Sequence, residues 1–175
     1  MRARRPSIEE RRAEKAEVDD PALVLDAAAR FLEVRPRSVA EVRGRLRQAG
    51  YRAELIEGAI SRLVDLAILD DAAFARSWVE SRDRARPRGE IALRREMALK
   101  GIDRAVVDAV LDERREAPGT PEPDQAAAER LLERHAAALG RIADPRSRRQ
   151  RAYALLARNG FDPETCSRVS ASLAE

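Results

Sequence analysis

Apolar positions along the chain recur at helical spacing, and they do so three times in register. The register is set by three glycines, each followed by an apolar residue: Gly50-Tyr51, Gly101-Ile102 and Gly160-Phe161. Four residues before each glycine stand Leu46, Met97 and Leu156, and eight before stand Val42, Leu93 and Ala152. Steps of four keep these side chains on one helix face. Five and six residues after the glycine come Leu55-Ile56, Val106-Val107 and the weaker Thr165-Cys166. Nine and ten after come Ala59-Ile60, Val110-Leu111 and Val169-Ser170. Each glycine therefore joins two amphipathic helices.

Chemistry at the turns agrees with this pattern. Glycine takes the left-handed conformation that ends many helices without a Cβ penalty. Asp103 and Asp162 stand where an N-cap accepts backbone N–H groups, and Pro163 suits a first helical position. Arg52, at the same place in the first segment, is a poorer cap. Ser38 and Glu41 form a capping box ahead of the first pair. An earlier helix precedes each pair, over about 22–34, 71–84 and 124–139. Phe74 and Trp78 share the apolar face of the second of these. Asp70-Asp71 at its start reads as a cap, with both charges at the positive helix end.

The expected fold is all-α: three tandem three-helix repeats forming an elongated, curved array. Residues 21–69, 70–116 and 124–175 are the repeats. Residues 117–123, rich in proline, read as a linker that lets the third repeat hinge. Residues 1–20 form a charged arm outside the repeat, with disorder an open alternative for it. Gly44, inside a predicted helix, costs up to about 1 kcal/mol relative to alanine.

Composition then limits the chemistry. Of the 175 residues, 37% are charged and 3% aromatic, so no aromatic stacking platform is expected. Nearly all the cations are arginine, the residue suited to bidentate contacts with carboxylate or phosphate. GC-rich coding accounts for arginine and alanine abundance in general, so only local clustering bears on function. His135 is the single histidine and Cys166 the single cysteine. Multi-histidine and cysteine-rich metal sites and an internal disulfide are thereby excluded. His135 reads as a solvated residue near a helix end, and Cys166 as a buried thiol on an apolar face. No glycine-rich phosphate loop, apolar membrane span or signal-peptide core is found. A cytoplasmic, monomeric, non-enzymatic protein without cofactor is the expectation.

The quoted segments resemble the RecX regulators of the bacterial recombinase RecA. The resemblance runs from about residue 22 to 174. It rests on Arg37-Ser38-Val39-Ala40-Glu41-Val42 in the first repeat. In the second it rests on the run from Leu69 to Ala75, on Arg82, on Arg88-Gly89 and on the run from Arg95 to Ile102. In the third it rests on the run from Arg151 to Phe161. Val42 and Met97 stand where leucine is usual in that family, and Cys166 replaces an aliphatic. The resemblance implies a protein that binds RecA–DNA filaments and suppresses strand exchange, ATP hydrolysis and coprotease activity.

Net charge is only +3, but the charges alternate along the chain. Arg82, Arg84, Arg86, Arg88, Arg94, Arg95 and Lys100 make one basic cluster. Arg146, Arg148, Arg149 and Arg151 make a second, opposed locally by Asp144 alone. An acidic stretch from Asp103 to Glu129 separates them. Both clusters are candidate contacts for a filament or for phosphate. Two further readings remain: direct binding to single- or double-stranded DNA, and a helical adaptor for another protein. Against sequence-specific DNA reading, the helices after the glycines are acidic or apolar.

Overall fold

A computed structural model describes residues 7–117 and 122–172; among them every regular element is an α-helix. In chain order these are α1 (Ile8–Ala16), α2 (Pro21–Leu32), α3 (Val39–Ala49), α4 (Ala53–Asp65), α5 (Asp71–Ala85) and α6 (Glu90–Leu99). They are followed by α7 (Arg104–Glu116), α8 (Pro123–Arg134), α9 (Ala136–Gly140), α10 (Pro145–Arg158) and α11 (Pro163–Ala171). The chain divides into two compact units, residues 1–74 with 100–102, and residues 75–99 with 103–175. Each is taken by itself.

The first unit is built on α2, α3 and α4. Asp20 caps α2 at the Ala22 N–H (2.9 Å), with Pro21 at the first position. The Ser38–Glu41 capping box opens α3. Gly50 closes α3 with φ +104°: its N–H reaches the Arg47 carbonyl while the Tyr51 N–H reaches Leu46. This pairing is the Schellman closure, which satisfies carbonyls a helix end leaves open. Arg52 provides no side-chain cap to α4. Val24, Ala28, Val42, Leu46, Ile56 and Leu63 fill the core. Exposed Leu66 and Ile68 flank Ala67, which turns the chain at φ +53°.

The arm contributes structure to this unit. Ser7 and Glu10 form a second capping box, which starts α1. No residue of α1 is buried, but its backbone lies on the Gly50 turn. A Cβ at Gly50 would come within 2.6 Å of the Arg12 carbonyl oxygen. Lys15 lies over the Tyr51 ring at 5.4 Å, and Arg52 pairs with Asp19.

In the second unit the repeated offsets are again buried. Leu93 and Met97 of α6, Val107, Val110 and Leu111 of α7, and Ala152 and Leu156 of α10 are all inside. Asp103 caps α7, Asp144 caps α10 and Asp162 caps α11. Gly160 repeats the Gly50 closure, and Phe161 is buried. The helix predicted over 124–139 is interrupted at His135. Its ring Nδ1 meets the Leu131 carbonyl at 2.9 Å, the acceptor a continuing helix would offer to the His135 N–H. That N–H turns to Leu132 instead. The predicted linker falls largely on residues 118–121, outside the described residues; α8 begins at Pro123.

Candidate functional site

One arrangement recurs at the start of a middle helix in each unit. In the first, Asp70 caps α5 through the Ala72 and Ala73 N–H groups (2.8 and 2.9 Å). Asp71, expected to serve that same helix, instead accepts the Val39 N–H of α3 at 2.9 Å. Chain direction explains the difference: one carboxylate satisfies the α5 end, so its neighbour is left to reach the orphan N–H of α3. Burial raises the Asp71 carboxyl above its ordinary value, against the lowering effect of the Val39 N–H. Ser38 Oγ donates to the Lys100 carbonyl at 2.6 Å, and Gly101, at φ +71°, packs on Ala40. In the second unit Asp124 accepts the Glu90 N–H of α6 at 2.8 Å. The Gly89 and Ile91 N–H groups donate to Asn159 and Gly160 (3.1 and 3.2 Å), and Gly160 packs on Ala92.

Glu41 is the polar centre of the first arrangement. Burial acts to raise its carboxyl, but hydrogen bonds from Arg35, Lys100 and the Ser38 N–H outweigh it and bring it down to about 2. Lys100 Nζ lies 3.0 Å from Glu41. A residue proposed from sequence as a partner contact thus holds an internal ion pair.

The first arginine cluster divides in the same way. Arg82 meets Glu96 at 2.6 Å and lies 4.5 Å over the Trp78 ring, while the Trp78 indole donates to the same carboxylate at 2.8 Å. Arg88 bonds Asn159 and lies 3.5 Å from Glu96. Arg94 pairs with Glu90 at 2.8 Å and with Asp108. Arg84, Arg86 and Arg95 are exposed, and none makes an ion pair among the described residues.

Arg114 stands inside the acidic stretch, where the charge pattern does not single it out. Its side chain is 8% exposed. It grips Asp83 through two hydrogen bonds (2.8 and 2.9 Å) and Asp124 at 2.6 Å, tying α5, α7 and α8. Burial would lower the guanidinium pKa, but the two carboxylates hold it above its ordinary value. A signal was present: Val107, Val110, Leu111 and Arg114 follow one helical stripe, so an arginine stands where the next apolar residue belongs. In the first unit, Arg37 stacks on Phe31 at 4.2 Å with Arg45 at 5.8 Å, a basic pair the charge pattern had not singled out.

The second cluster lies on α10. Arg146, Arg149 and Arg151 are exposed and make no ion pair among the described residues; Arg148 is half-buried. They do not form one patch. Arg146 and Arg149, with Gln150, Tyr153 and Ser170, line one shallow depression. Arg151 and Arg158 line another with His135 and Ile142. At 3.6 residues per turn, Arg149 and Arg151 are about 160° apart around the helix. Asp144, the local acid, accepts the Ser147 N–H at 2.8 Å.

Cys166 is fully buried, its thiol pushed up by burial and directed at the Phe161 carbonyl (3.5 Å). His135 is exposed at the α8 end. Among the described residues no cluster of His, Cys, Asp or Glu is placed to hold a metal, and no helix is long and apolar enough to cross a membrane.

Comparison with known proteins places these features in a family. Residues 25–63 match the first three-helix domain of RecX, and residues 70–111 match the second. The chain is similar to the regulatory protein RecX of Prosthecochloris aestuarii, 37% identical over 94 residues. That match covers 54% of this chain and spans 62% of the relative's length. The RecX of Streptomyces lividans is 31% identical over 160 residues, covering 90% of this chain and 82% of the relative. In fold the chain is similar to the crystal structure of RecX from Lactobacillus salivarius. The TM-score is 0.75 at 22% identity, over 89% of this chain and 97% of the other.

Proposed function

This chain belongs to the RecX family of regulatory proteins, and on that premise we propose that it binds RecA–DNA filaments and inhibits strand exchange, ATP hydrolysis and coprotease activity. It acts by contact, as a cytoplasmic monomer without catalytic groups or cofactor. The observation that carries this reading is the exposure of Arg146, Arg149 and Arg151 on α10, which make no ion pair among the described residues. An arginine left unpaired on a surface offers its whole fork to a carboxylate or phosphate outside the chain.

The filament contact is assigned to Arg146, Arg149 and Arg151, assisted by Arg84, Arg86 and Arg95. Arg82, Arg88, Arg94 and Lys100 serve it indirectly, by fixing the helices through internal pairs. Ser38, Gly50, Asp70, Asp71, Gly101 and Gly160 set the helix starts and turns. Strand exchange and ATP hydrolysis by purified RecA, measured with rising amounts of this protein, test the reading. Inhibition at saturating occupancy is expected; full activity at that occupancy refutes it.

A second reading, direct DNA binding, is favoured by the same exposed arginines. Affinity for bare DNA would then fall with salt at a log–log slope of about −0.9 per neutralised phosphate. It would also persist without recombinase.

A further inference from the structure

The middle helices of this chain have a common outer face, and two of the three show what it receives. At the start of α3 the Asp71 carboxylate takes the Val39 N–H and the Gly101 turn closes on Ala40. At the start of α6 the Asp124 carboxylate takes the Glu90 N–H and the Gly160 turn closes on Ala92. Aligning the glycine turns carries Val39 and Glu90 onto Arg149, Ala40 and Ile91 onto Gln150, and Arg43 and Arg94 onto Tyr153. On α10 these three residues, with Arg146, are exposed and line the shallow depression described above.

A further repeat, from this chain or a second copy, does not fit there. Gln150, at the place of Ala40, lines this face, so a glycine turn meets a long side chain instead of a methyl group. The Gly50 turn that a second copy would bring is covered by α1, with the Arg12 carbonyl oxygen 2.6 Å from the place of a Cβ. Nor does the face keep a free helix end. α10 begins earlier, at Pro145, and the Arg148 N–H is bonded to the Asp144 carbonyl, which leaves Arg149 inside the helix. What remains of the arrangement is its affinity for carboxylates, supplied by guanidinium groups one turn apart in place of a backbone N–H. A phosphate backbone is less well matched, because Arg151 and Arg158 lie on the other side of α10 and do not extend the pair into a track.

We propose that the Arg146–Arg149–Tyr153 face of α10 docks an acidic segment of a partner protein, a helix start or loop bearing neighbouring carboxylates. Arg146 and Arg149 pair with the carboxylates, and the half-exposed Tyr153 ring takes their aliphatic stems. This inference rests on the filament-binding reading and specifies the contact; the recombinase supplies the acidic segment.

The test uses the full chain and RecA filaments assembled on single-stranded DNA with a slowly hydrolysed ATP analogue. The variants are Arg146→Glu with Arg149→Glu, Tyr153→Ala, and Arg62→Glu on α4 as a charge control. A photo-cross-linking residue at position 150 identifies what lies against the face. The arginine pair is expected to weaken filament binding on the order of tenfold, as reversal of interfacial charges does. Tyr153→Ala weakens it less, Arg62→Glu leaves it unchanged, and the cross-link falls on an Asp- or Glu-bearing RecA peptide. Undiminished filament binding by the arginine pair overturns the docking surface while leaving the functional reading intact. An equal loss on bare DNA, or a cross-link to DNA or to a second copy, overturns it as well. Failure of the unaltered protein to bind filaments ends the functional reading and this surface with it. Should circular dichroism show the Glu pair unfolded, Arg146→Gln with Arg149→Gln is read by the same criteria.

Discussion

Two stretches of this chain look alike by charge count and differ in what their arginines do. Between Arg82 and Arg94, three of the arginines are drawn inward by Glu90, Glu96, Asp108 and Asn159. On α10, Arg146, Arg149 and Arg151 remain exposed without ion pairs among the described residues, and their one local acid is occupied as a helix cap. A basic run in sequence is therefore not yet a basic surface. The difference lies in which carboxylates the fold brings within reach, and those come from neighbouring helices as well as the same one, up to 14 residues away.

The strongest way to break the comparison is to remove the arginine drawn furthest inward. Arg114→Ala leaves Asp83 and Asp124 without their buried partner and is expected to cost about 3–5 kcal/mol of stability. Urea unfolding checks it; a loss below about 1 kcal/mol would mean that water reaches both carboxylates. Arg82→Ala is expected to cost about 1–2 kcal/mol, from one charge-assisted hydrogen bond and one ring contact. Trp78 is the single tryptophan, so its fluorescence should shift to the red, while filament affinity falls only in step with the loss of stability. Loss of filament affinity there, with stability intact, would place Arg82 among the outward arginines.

Acid sharpens the comparison from the carboxylate side. The Glu41 carboxyl, ordinarily near 4.5, is held at about 2 in the folded chain. A lowered carboxyl stabilises the fold above its unfolded value, and the contribution fades as pH falls from about 4.5 towards 2. Glu41→Gln should therefore lower stability at pH 7 and flatten its decline across that window. Thermal unfolding from pH 7 to pH 2.5 measures both. The smallest effect is expected where no charge is involved. A Cβ at Gly44 meets nothing within 4 Å, so Gly44→Ala should raise stability by up to about 1 kcal/mol. Unfolding midpoints in urea check its sign.

Much of the fold was legible from position alone. The offsets of four and eight before each glycine, and of six, nine and ten after it, are buried in all three repeats, down to Ser170. The left-handed glycines, the Ser38 box and the Asp103 and Asp162 caps follow from chemistry local to a few residues. Legibility failed where hydrophobic spacing carries no signal. Residues 8–16 lack an apolar face, so their spacing marks no helix; the Ser7–Glu10 box, a local signal like that of Ser38–Glu41, starts one against the Gly50 turn. At His135 a helix is interrupted beside a contact of the ring with the Leu131 carbonyl, which composition does not encode.

The sequence by itself determined the helices, their caps, the repeat and, through ordered motifs, the family. These depend on spacing and on hydrogen bonds between near neighbours, which a linear pattern records. Only the tertiary structure decided that Asp71 serves α3, that Arg114 is buried between two acids, and that the α10 arginines split between two sides. Each of these depends on where an oppositely charged or orphan polar group lies in space. Side chains far apart in the chain are brought within hydrogen-bond distance only after the helices pack.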